Sequence, residues 1–118
     1  MATLTPQKVI EDGQVETLTS ASSAGDEFTN SGVEVIHIQN GHASAAYTVT
    51  VTAQVTNIHH QQFGKVTKSN VAKSVAAGQD CFFGPFKQSS FNDPNNKVQI
   101  TYSGVTTLKV AVLYLDQQ

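Results

Sequence analysis

The feature that most limits what this chain can fold into is a strictly alternating segment near its middle, residues 47–55. One set of alternating positions holds Tyr47, Val49, Val51, Ala53 and Val55. The positions between them hold Thr48, Thr50, Thr52 and Gln54. Successive side chains of a β-strand point to opposite faces, and β-branched residues favour a pleated surface. This period of two therefore predicts a strand with one buried and one solvated face.

The rest of the chain repeats this strand character between short turns. Strands are predicted at residues 33–39, 97–102 and 106–115, and weaker ones at 15–20, 69–75 and 79–83. Turn signals such as Asn40-Gly41 and Ser103-Gly104 separate them at intervals of about ten residues. A convincing helical period is missing, although residues 89–92 could form one helical turn.

These elements predict an all-β fold in a single domain covering residues 1–118. A chain of 118 residues has about the length of one domain. Roughly seven or eight short strands favour a two-sheet antiparallel sandwich, either a jelly roll or an immunoglobulin-like domain. The chain lacks the Cys…Trp…Cys pattern of immunoglobulin domains, because it has one Cys and no Trp. The expected fold is therefore jelly-roll-like.

The first ten residues are expected to form a short N-terminal arm rather than part of the core. They show no alternation and contain Pro6 before the first clear turn, and chain termini are often loosely held. An arm of this kind could lie across a neighbouring protein. Its apolar residues Leu4, Val9 and Ile10 are therefore candidate partner contacts.

The last predicted strand is apolar on both faces. Leu108, Val110, Val112 and Tyr114 share one face. After Lys109 the other face continues with Ala111, Leu113 and Leu115. The outer face of a sheet in a monomer is usually polar. Either the N-terminal segment covers this stripe, or Ala111, Leu113 and Leu115 form an interface between copies of the chain.

Four of the six Phe residues fall between positions 82 and 91. Phe82 or Phe83 could pack between the sheets, while Phe86 and Phe91 could close one end of the core. Phe also anchors protein interfaces well. Phe86 and Phe91 are therefore candidate partner contacts, and the core interpretation remains open beside it.

Catalytic, metal and cofactor sites are not predicted. The four His residues include no His-x-His pair, and His59-His60 would point to opposite faces of a strand. Cys81 stands beside Phe82-Phe83 in an apolar run, which is typical of a core Cys rather than a reactive thiol. The adjacent acids Glu11-Asp12 and Asp26-Glu27 are expected to be solvated turn residues.

The charge pattern argues against nucleic-acid binding. The formal net charge is −2, and all seven basic residues are scattered Lys. Nucleic-acid binders usually concentrate Lys and Arg on one surface. The sequence also contains neither a recognisable signal peptide nor an apolar run long enough to cross a membrane.

Several turn and strand motifs resemble those of small bacteriophage and prophage virion proteins of the head decoration, or capsid cement, type. The resemblance covers most of the chain and rests on five segments, residues 1–6, 24–30, 84–86, 91–93 and 98–106. It implies a structural protein without enzymatic activity that binds the major capsid protein and stabilises the phage head. It also implies a homo-oligomer, with a trimer favoured, on the outer capsid surface of a virion assembled in the bacterial cytoplasm. Head–tail joining or tail proteins and carbohydrate-binding β-sandwich modules are the alternatives.

Overall fold

The structure is a computed structural model that describes residues 2–10, 13, 15–54, 58–60, 64–66 and 70–115, with the backbone alone at 58–60 and 64–66. Within these residues the chain forms twelve strands and one short helix. The strands of the first half are β1 Ala2–Leu4, β2 Gln7–Val9, β3 Thr19–Ser20, β4 Asp26–Thr29, β5 Val35–Asn40 and β6 Tyr47–Val51. The later elements are β7 Ile58–His60, β8 Gly64–Val66, β9 Val71–Val75, β10 Asp80–Phe83, α1 Gln88–Phe91, β11 Lys97–Tyr102 and β12 Leu108–Leu115.

Two five-stranded sheets contain most of these strands. The first sheet has the order β1-β4-β11-β6-β9. The second has the order β10-β5-β12-β2, and β3 also pairs with β12. Strands β7 and β8 form a separate antiparallel hairpin. The chain is thus mostly β with almost no helix, as predicted. Its described helix α1 has four residues, and the described residues contain no helix long and apolar enough to span a membrane.

Both sheets are mixed, whereas the sequence predicted purely antiparallel ones. β1 pairs in parallel with β4, and β2 pairs in parallel with β12. The other neighbouring strands described in the two sheets pair antiparallel, including β11 with β4 and β12 with β5. The departure from the prediction therefore comes entirely from the N-terminal segment.

This N-terminal segment, expected to be an arm, contributes an edge strand to each sheet. Its hydrogen bonds reach both sheets, because β1 lies against β4 and β2 lies against the end of β12. Leu4 is half-buried and packs against the core. The Gln7 side chain adds two hydrogen bonds of 2.8 Å to the backbone N–H and C=O of Thr17. The segment is held because it satisfies backbone groups that would otherwise be exposed at two sheet edges.

The core draws on alternate residues of both sheets. Phe28, Val49, Val51, Val98 and Ile100 of the first sheet share one buried cluster with Ile36, Ile38, Leu108, Val110 and Val112 of the second. The predicted alternation is confirmed in the middle of β6 and β11, where Val49, Val51, Val98 and Ile100 are buried. In β12 it is confirmed at Leu108, Val110 and Val112, whereas the outward Ala111 is buried as well. Each sheet therefore has one face against the core and one outer face.

Candidate interaction face and a buried histidine cluster

The outer face of the first sheet is polar. Its outward positions are Glu27 and Thr29 of β4, Lys97, Gln99 and Thr101 of β11, and Thr48 and Thr50 of β6. Glu27 accepts hydrogen bonds from Lys97 Nζ at 3.1 Å, Gln99 Nε2 at 3.0 Å and Thr3 Oγ1 at 3.1 Å. The polar side chains of this face are well hydrated, so burying them against another protein would gain little free energy.

Two carboxylates of this face have lowered pKa values because they are well supplied with donors. The Gln99 amide, followed by Lys97, lowers the pKa of Glu27. The backbone N–H of Lys97, at 3.0 Å, is the main cause of the lowered pKa of Asp93. Both groups accordingly favour the ionised form. Glu27 was expected to be a solvated turn residue, but it lies in a strand and takes part in this network.

The outer face of the second sheet is apolar toward the end of β12. Val9, Val33, Val35, Pro85, Leu113 and Leu115 contribute to the lining of a groove of about 470 Å³. We call these six residues the docking groove. Val35 pairs with Leu113, and Val9 pairs with Leu115, so that the groove crosses three neighbouring strands.

The described residues expose four large hydrophobic side chains. They are Ile10 at 42%, Val15 at 90%, Phe82 at 61% and Leu115 at 68% exposure. Phe82 projects from β10 beside His37, and Leu115 ends β12 in the docking groove. Ile10 and Val15 lie in the segment that follows β2. Leu115 therefore adds exposed apolar surface to the docking groove, and exposed apolar patches often mark an interaction site.

The predicted interface stripe of β12 is divided by the structure. Leu115 is exposed and Leu113 is half-buried in the docking groove. Ala111 is only 3% exposed, so it cannot provide a surface contact in this conformation. Ala111 is therefore removed from the predicted stripe, and the interface at Leu113 and Leu115 stays a prediction.

The predicted contacts of the N-terminal segment also differ among themselves. Val9 lines the docking groove, whereas Leu4 packs against the core from β1. Ile10 is exposed just beyond β2. Val9 thus lines the groove and Ile10 is exposed at the end of β2, while Leu4 packs against the core.

The prediction that Phe86 and Phe91 contact a partner is not supported, because both side chains are buried in the core. Their ring centroids are 5.3 Å apart at an angle of 65°, and Phe86 also lies 6.4 Å from Phe28. This edge-to-face packing is favourable for aromatic rings. The alternative interpretation, that these rings close the core, is the one that the structure supports.

A buried cluster around His37 was missed by the sequence analysis. His37 lies on the outer face of β5 and is nevertheless only 6% exposed. Its Nδ1 lies 2.5 Å from Glu16 Oε1, and its Nε2 lies 3.2 Å from Asp80 Oδ2. The Phe82 ring stacks on the imidazole at 4.4 Å with an interplanar angle of 9°. Alternation in β5 could have indicated an outward His, but nothing in the weak strand predicted at residues 15–20 indicated that its Glu16 would reach His37.

A second buried polar pair lies at the inner side of the first sheet. Asp26 is fully buried, and its Oδ2 accepts a hydrogen bond of 2.8 Å from the Tyr102 hydroxyl. Burial, together with Asp26, raises the pKa of Tyr102 well above the ordinary range of tyrosine. The expectation that Asp26 is a solvated turn residue was therefore wrong. The other expected acid pair, Glu11-Asp12, lies outside the described residues.

The remaining candidate residues form no further constellation in the described part of the chain. Cys81 is half-buried on β10 and packs against the core rather than being fully enclosed in it. His42 Nδ1 accepts hydrogen bonds from the backbone N–H groups of Ser44 and Ala45 at 3.1 and 2.9 Å. The side chains of His59 and His60 lie outside the described residues. Groups of three potential metal ligands are not found among the residues that the structure describes.

Comparison of the chain with models of protein families, with curated proteins and with solved structures found no match.

Proposed function

We propose that this chain is a structural virion protein that decorates the outer surface of a phage capsid, where it binds the major capsid protein and associates with further copies of itself. The observation that carries this proposal is the contrast between the two outer faces. One face is covered with Thr and paired charges, and the other bears the docking groove. A domain with one hydrated and one apolar face suits a protein that assembles with a further copy of itself through the apolar face and presents the hydrated face at the surface of the particle.

The strand order supports a jelly-roll-like sandwich as the fold of this protein. Without β1, β2 and the β7–β8 hairpin, the first sheet has the order β4-β11-β6-β9 and the second has the order β3-β12-β5-β10. Numbered from one to eight along the chain, these orders are 2-7-4-5 and 1-8-3-6. Two interleaved Greek keys, which define a jelly roll, give this arrangement. The N-terminal strands then appear as additions at two sheet edges.

The occupant of the docking groove is a second copy of the chain. Asp80 and Lys109 both pair with Gln39, one on each side of β5. A twofold axis above β5 and parallel to it would therefore bring Asp80 of each copy opposite Lys109 of the other. An interface with twofold symmetry requires a self-complementary surface of this kind. Asp80 and Lys109, which we call the charged row, provide one.

The apolar residues beside the charged row, which are Val35, Leu113 and Pro85, form rows that are self-complementary about the same axis. Val35 lies on β5, Leu113 lies on one side of it, and Pro85 follows β10 on the other side. The rotation would bring Leu113 of one copy toward Pro85 of the other and leave Val35 near its own symmetry mate. Burying an apolar side chain of this size contributes about 1.5–3 kcal/mol. The charged row would then fix the orientation in which the apolar rows meet.

The first experiment tests whether the docking groove is the surface through which two copies associate. Leu115→Asp introduces a charge into the docking groove at an exposed position, and Thr101→Asp introduces the same charge on the polar face as a matched control. Circular dichroism verifies the fold, and sedimentation equilibrium measures the mass. We expect a dimer for the wild type and the control, and a monomer for Leu115→Asp. A monomeric wild type, or a dimer that tolerates Leu115→Asp, would contradict self-association through this groove.

The second experiment tests the symmetry. Asp80→Lys and Lys109→Glu should each weaken the dimer, because each variant brings like charges together twice. An equimolar mixture should form a heterodimer, because every contact then joins opposite charges. Failure of the mixture to associate would remove the twofold arrangement while leaving the face itself in place. A trimeric mass, which the family resemblance favours, would also contradict the twofold arrangement.

The third experiment tests the capsid. Heads of the encoding phage or prophage, prepared without this protein, are mixed with the wild type and with both Asp variants and then sedimented. We expect the wild type and Thr101→Asp to sediment with the heads in a fixed ratio to the major capsid protein. If none of the three proteins binds the heads, decoration is excluded even where self-association is observed.

A further inference from the structure

The two ring nitrogens of His37 each face a carboxylate oxygen. Nδ1 faces Glu16 at 2.5 Å, and Nε2 faces Asp80 at 3.2 Å. A neutral imidazole has one donor and one acceptor, whereas an ionised carboxylate can only accept. Both contacts can therefore be hydrogen bonds at once only if His37 carries two ring protons, or if a carboxyl group carries one.

We infer that His37 is a cationic clamp that fastens the segment around Glu16 to the second sheet while both ring nitrogens are protonated, and that loss of one proton releases this segment. Carboxyl groups are ordinarily ionised at neutral pH, and histidine changes its charge in the neighbouring range. With both carboxyl groups ionised, the imidazole is the group that supplies the protons of both contacts. The inference concerns the isolated chain and does not depend on any partner.

The charges around the ring favour the cation. Glu16 approaches from the segment before β3, and Asp80 approaches from the adjacent strand β10. On the other side, β12 presents the neutral Ala111 directly opposite His37, and its Lys109 stands one outward position away beside Gln39. The stacked Phe82 ring offers its electron-rich face, which attracts a cation more strongly than a neutral ring. Two carboxylates and an aromatic face thus outweigh a single, exposed lysine.

The clamp has a direct consequence for Thr17, the neighbour of Glu16. The Thr17 N–H donates to Gln7 Oε1 at 2.8 Å, and Gln7 Nε2 donates to the Thr17 carbonyl at 2.8 Å. These bonds connect the clamped segment to β2. When His37 becomes neutral, one of its nitrogens faces a carboxylate without a proton between them, and that contact becomes repulsive. The clamp is therefore closed while the imidazole holds both ring protons, and it opens as the pH rises and one of them is lost.

Nuclear magnetic resonance of the histidine ring nitrogens tests the protonation state directly. At pH 6 we expect both ring nitrogens of His37 to be protonated. His42 serves as an internal contrast, because its Nδ1 accepts two backbone N–H bonds and should lack a proton there. A singly protonated His37 at pH 6 overturns the inference.

Hydrogen exchange at the Thr17 amide tests the release. We expect its protection factor to fall at least about tenfold between pH 6 and pH 8.5, which corresponds to the loss of one hydrogen bond to a charged group. In His37→Gln the protection should be low at both pH values, while His42→Gln should retain the wild-type change. If His37→Gln does not fold, the wild-type profile and that of His42→Gln decide. Protection that does not change with pH in the wild type, or a change that disappears in His42→Gln, refutes the clamp.

Discussion

Replacing Tyr102 by Phe tests whether the buried pair with Asp26 stabilises the fold. The substitution removes one hydroxyl and keeps the ring that packs against the core. Asp26 Oδ2 then retains the Ser22 N–H at 3.2 Å and loses the Tyr102 bond of 2.8 Å. Asp26 Oδ1 already has no hydrogen-bond partner within the described residues, so this fully buried carboxyl group has little to replace the loss.

The expected cost follows from this geometry. Hydrogen bonds to charged groups contribute about 1.5–3 kcal/mol, and an unsatisfied buried acceptor has a desolvation penalty of similar size. We therefore expect Tyr102→Phe to lower the free energy of unfolding by about 2 kcal/mol, or the melting temperature by roughly 8 °C for a domain of this size. Urea unfolding at neutral pH measures the change.

A double-mutant cycle separates the hydrogen bond from other effects of the substitution. Asp26→Asn removes the charge, and the double variant Asp26→Asn with Tyr102→Phe should lose much less than the sum of the single variants. Additive losses would show that the two side chains do not interact. A change below about 0.5 kcal/mol for Tyr102→Phe alone, the size typical of neutral surface substitutions, would refute the reasoning outright.

The same pair predicts a dependence on alkaline pH. Burial, and then Asp26, raises the pKa of Tyr102 in the folded protein, whereas an unfolded tyrosine titrates at about 10. Its contribution to stability is therefore complete below about pH 10 and is lost as the pH rises above that value. The tyrosinate absorbance of Tyr102, taken as the difference between wild type and Tyr102→Phe, should appear only with unfolding. Its appearance in the folded protein near pH 10 would contradict the buried contact.

Three further predictions test the backbone, the N-terminal segment and the aromatic core by urea unfolding. Gly25 and Gly78 both have positive φ, but an added Cβ would lie 2.7 Å from a backbone oxygen of β11 at Gly25 and would meet nothing within 4 Å at Gly78. Gly78→Ala should therefore cost about 1 kcal/mol and Gly25→Ala about 3 kcal/mol more, and equal costs would contradict the close approach. Leu4→Ala should cost roughly 1–2 kcal/mol and the exposed Thr5→Ala less than about 0.5 kcal/mol, whereas two neutral variants would restore the free arm expected from the sequence. Phe91→Ala should lower stability by about 3–5 kcal/mol, and a variant of unchanged stability would argue for a surface role.

The sequence predicted the main strands because alternation is a local signal, but it could not predict where each strand ends. The predicted strand at residues 47–55 leaves the sheet after Val51. There the Ala53 N–H donates to Asn70 Oδ1 at 2.8 Å, and the Gln54 N–H donates to the Ser90 carbonyl at 2.9 Å. These partners come from distant parts of the chain, so the apolar pattern continues past the point at which the hydrogen bonding changes.

Elements of two or three residues are too short to show a period at all. β1 and β2 have three residues each, and the predicted strand at 15–20 is reduced to Thr19–Ser20. Their pairing depends on sheet edges formed by β4 and β12, which lie far along the chain. Tertiary pairing therefore determines these strands, and local propensity does not.

The candidate site also has one part that the local sequence indicated and one part that it could not indicate, and both lie along β12. Beyond Lys109, the apolar outward residues of β12 indicated that something covers this face, and that signal is local. The local sequence does not show what covers this face. His37 and Glu16 occupy the region beside Ala111, while the docking groove begins at Leu113. Glu16 follows segments without strand character, and only the folded chain brings it to a histidine 21 residues away. The polar half of the face is thus occupied by the protein itself, and the apolar half at Leu113 and Leu115 is where we propose that a second copy binds.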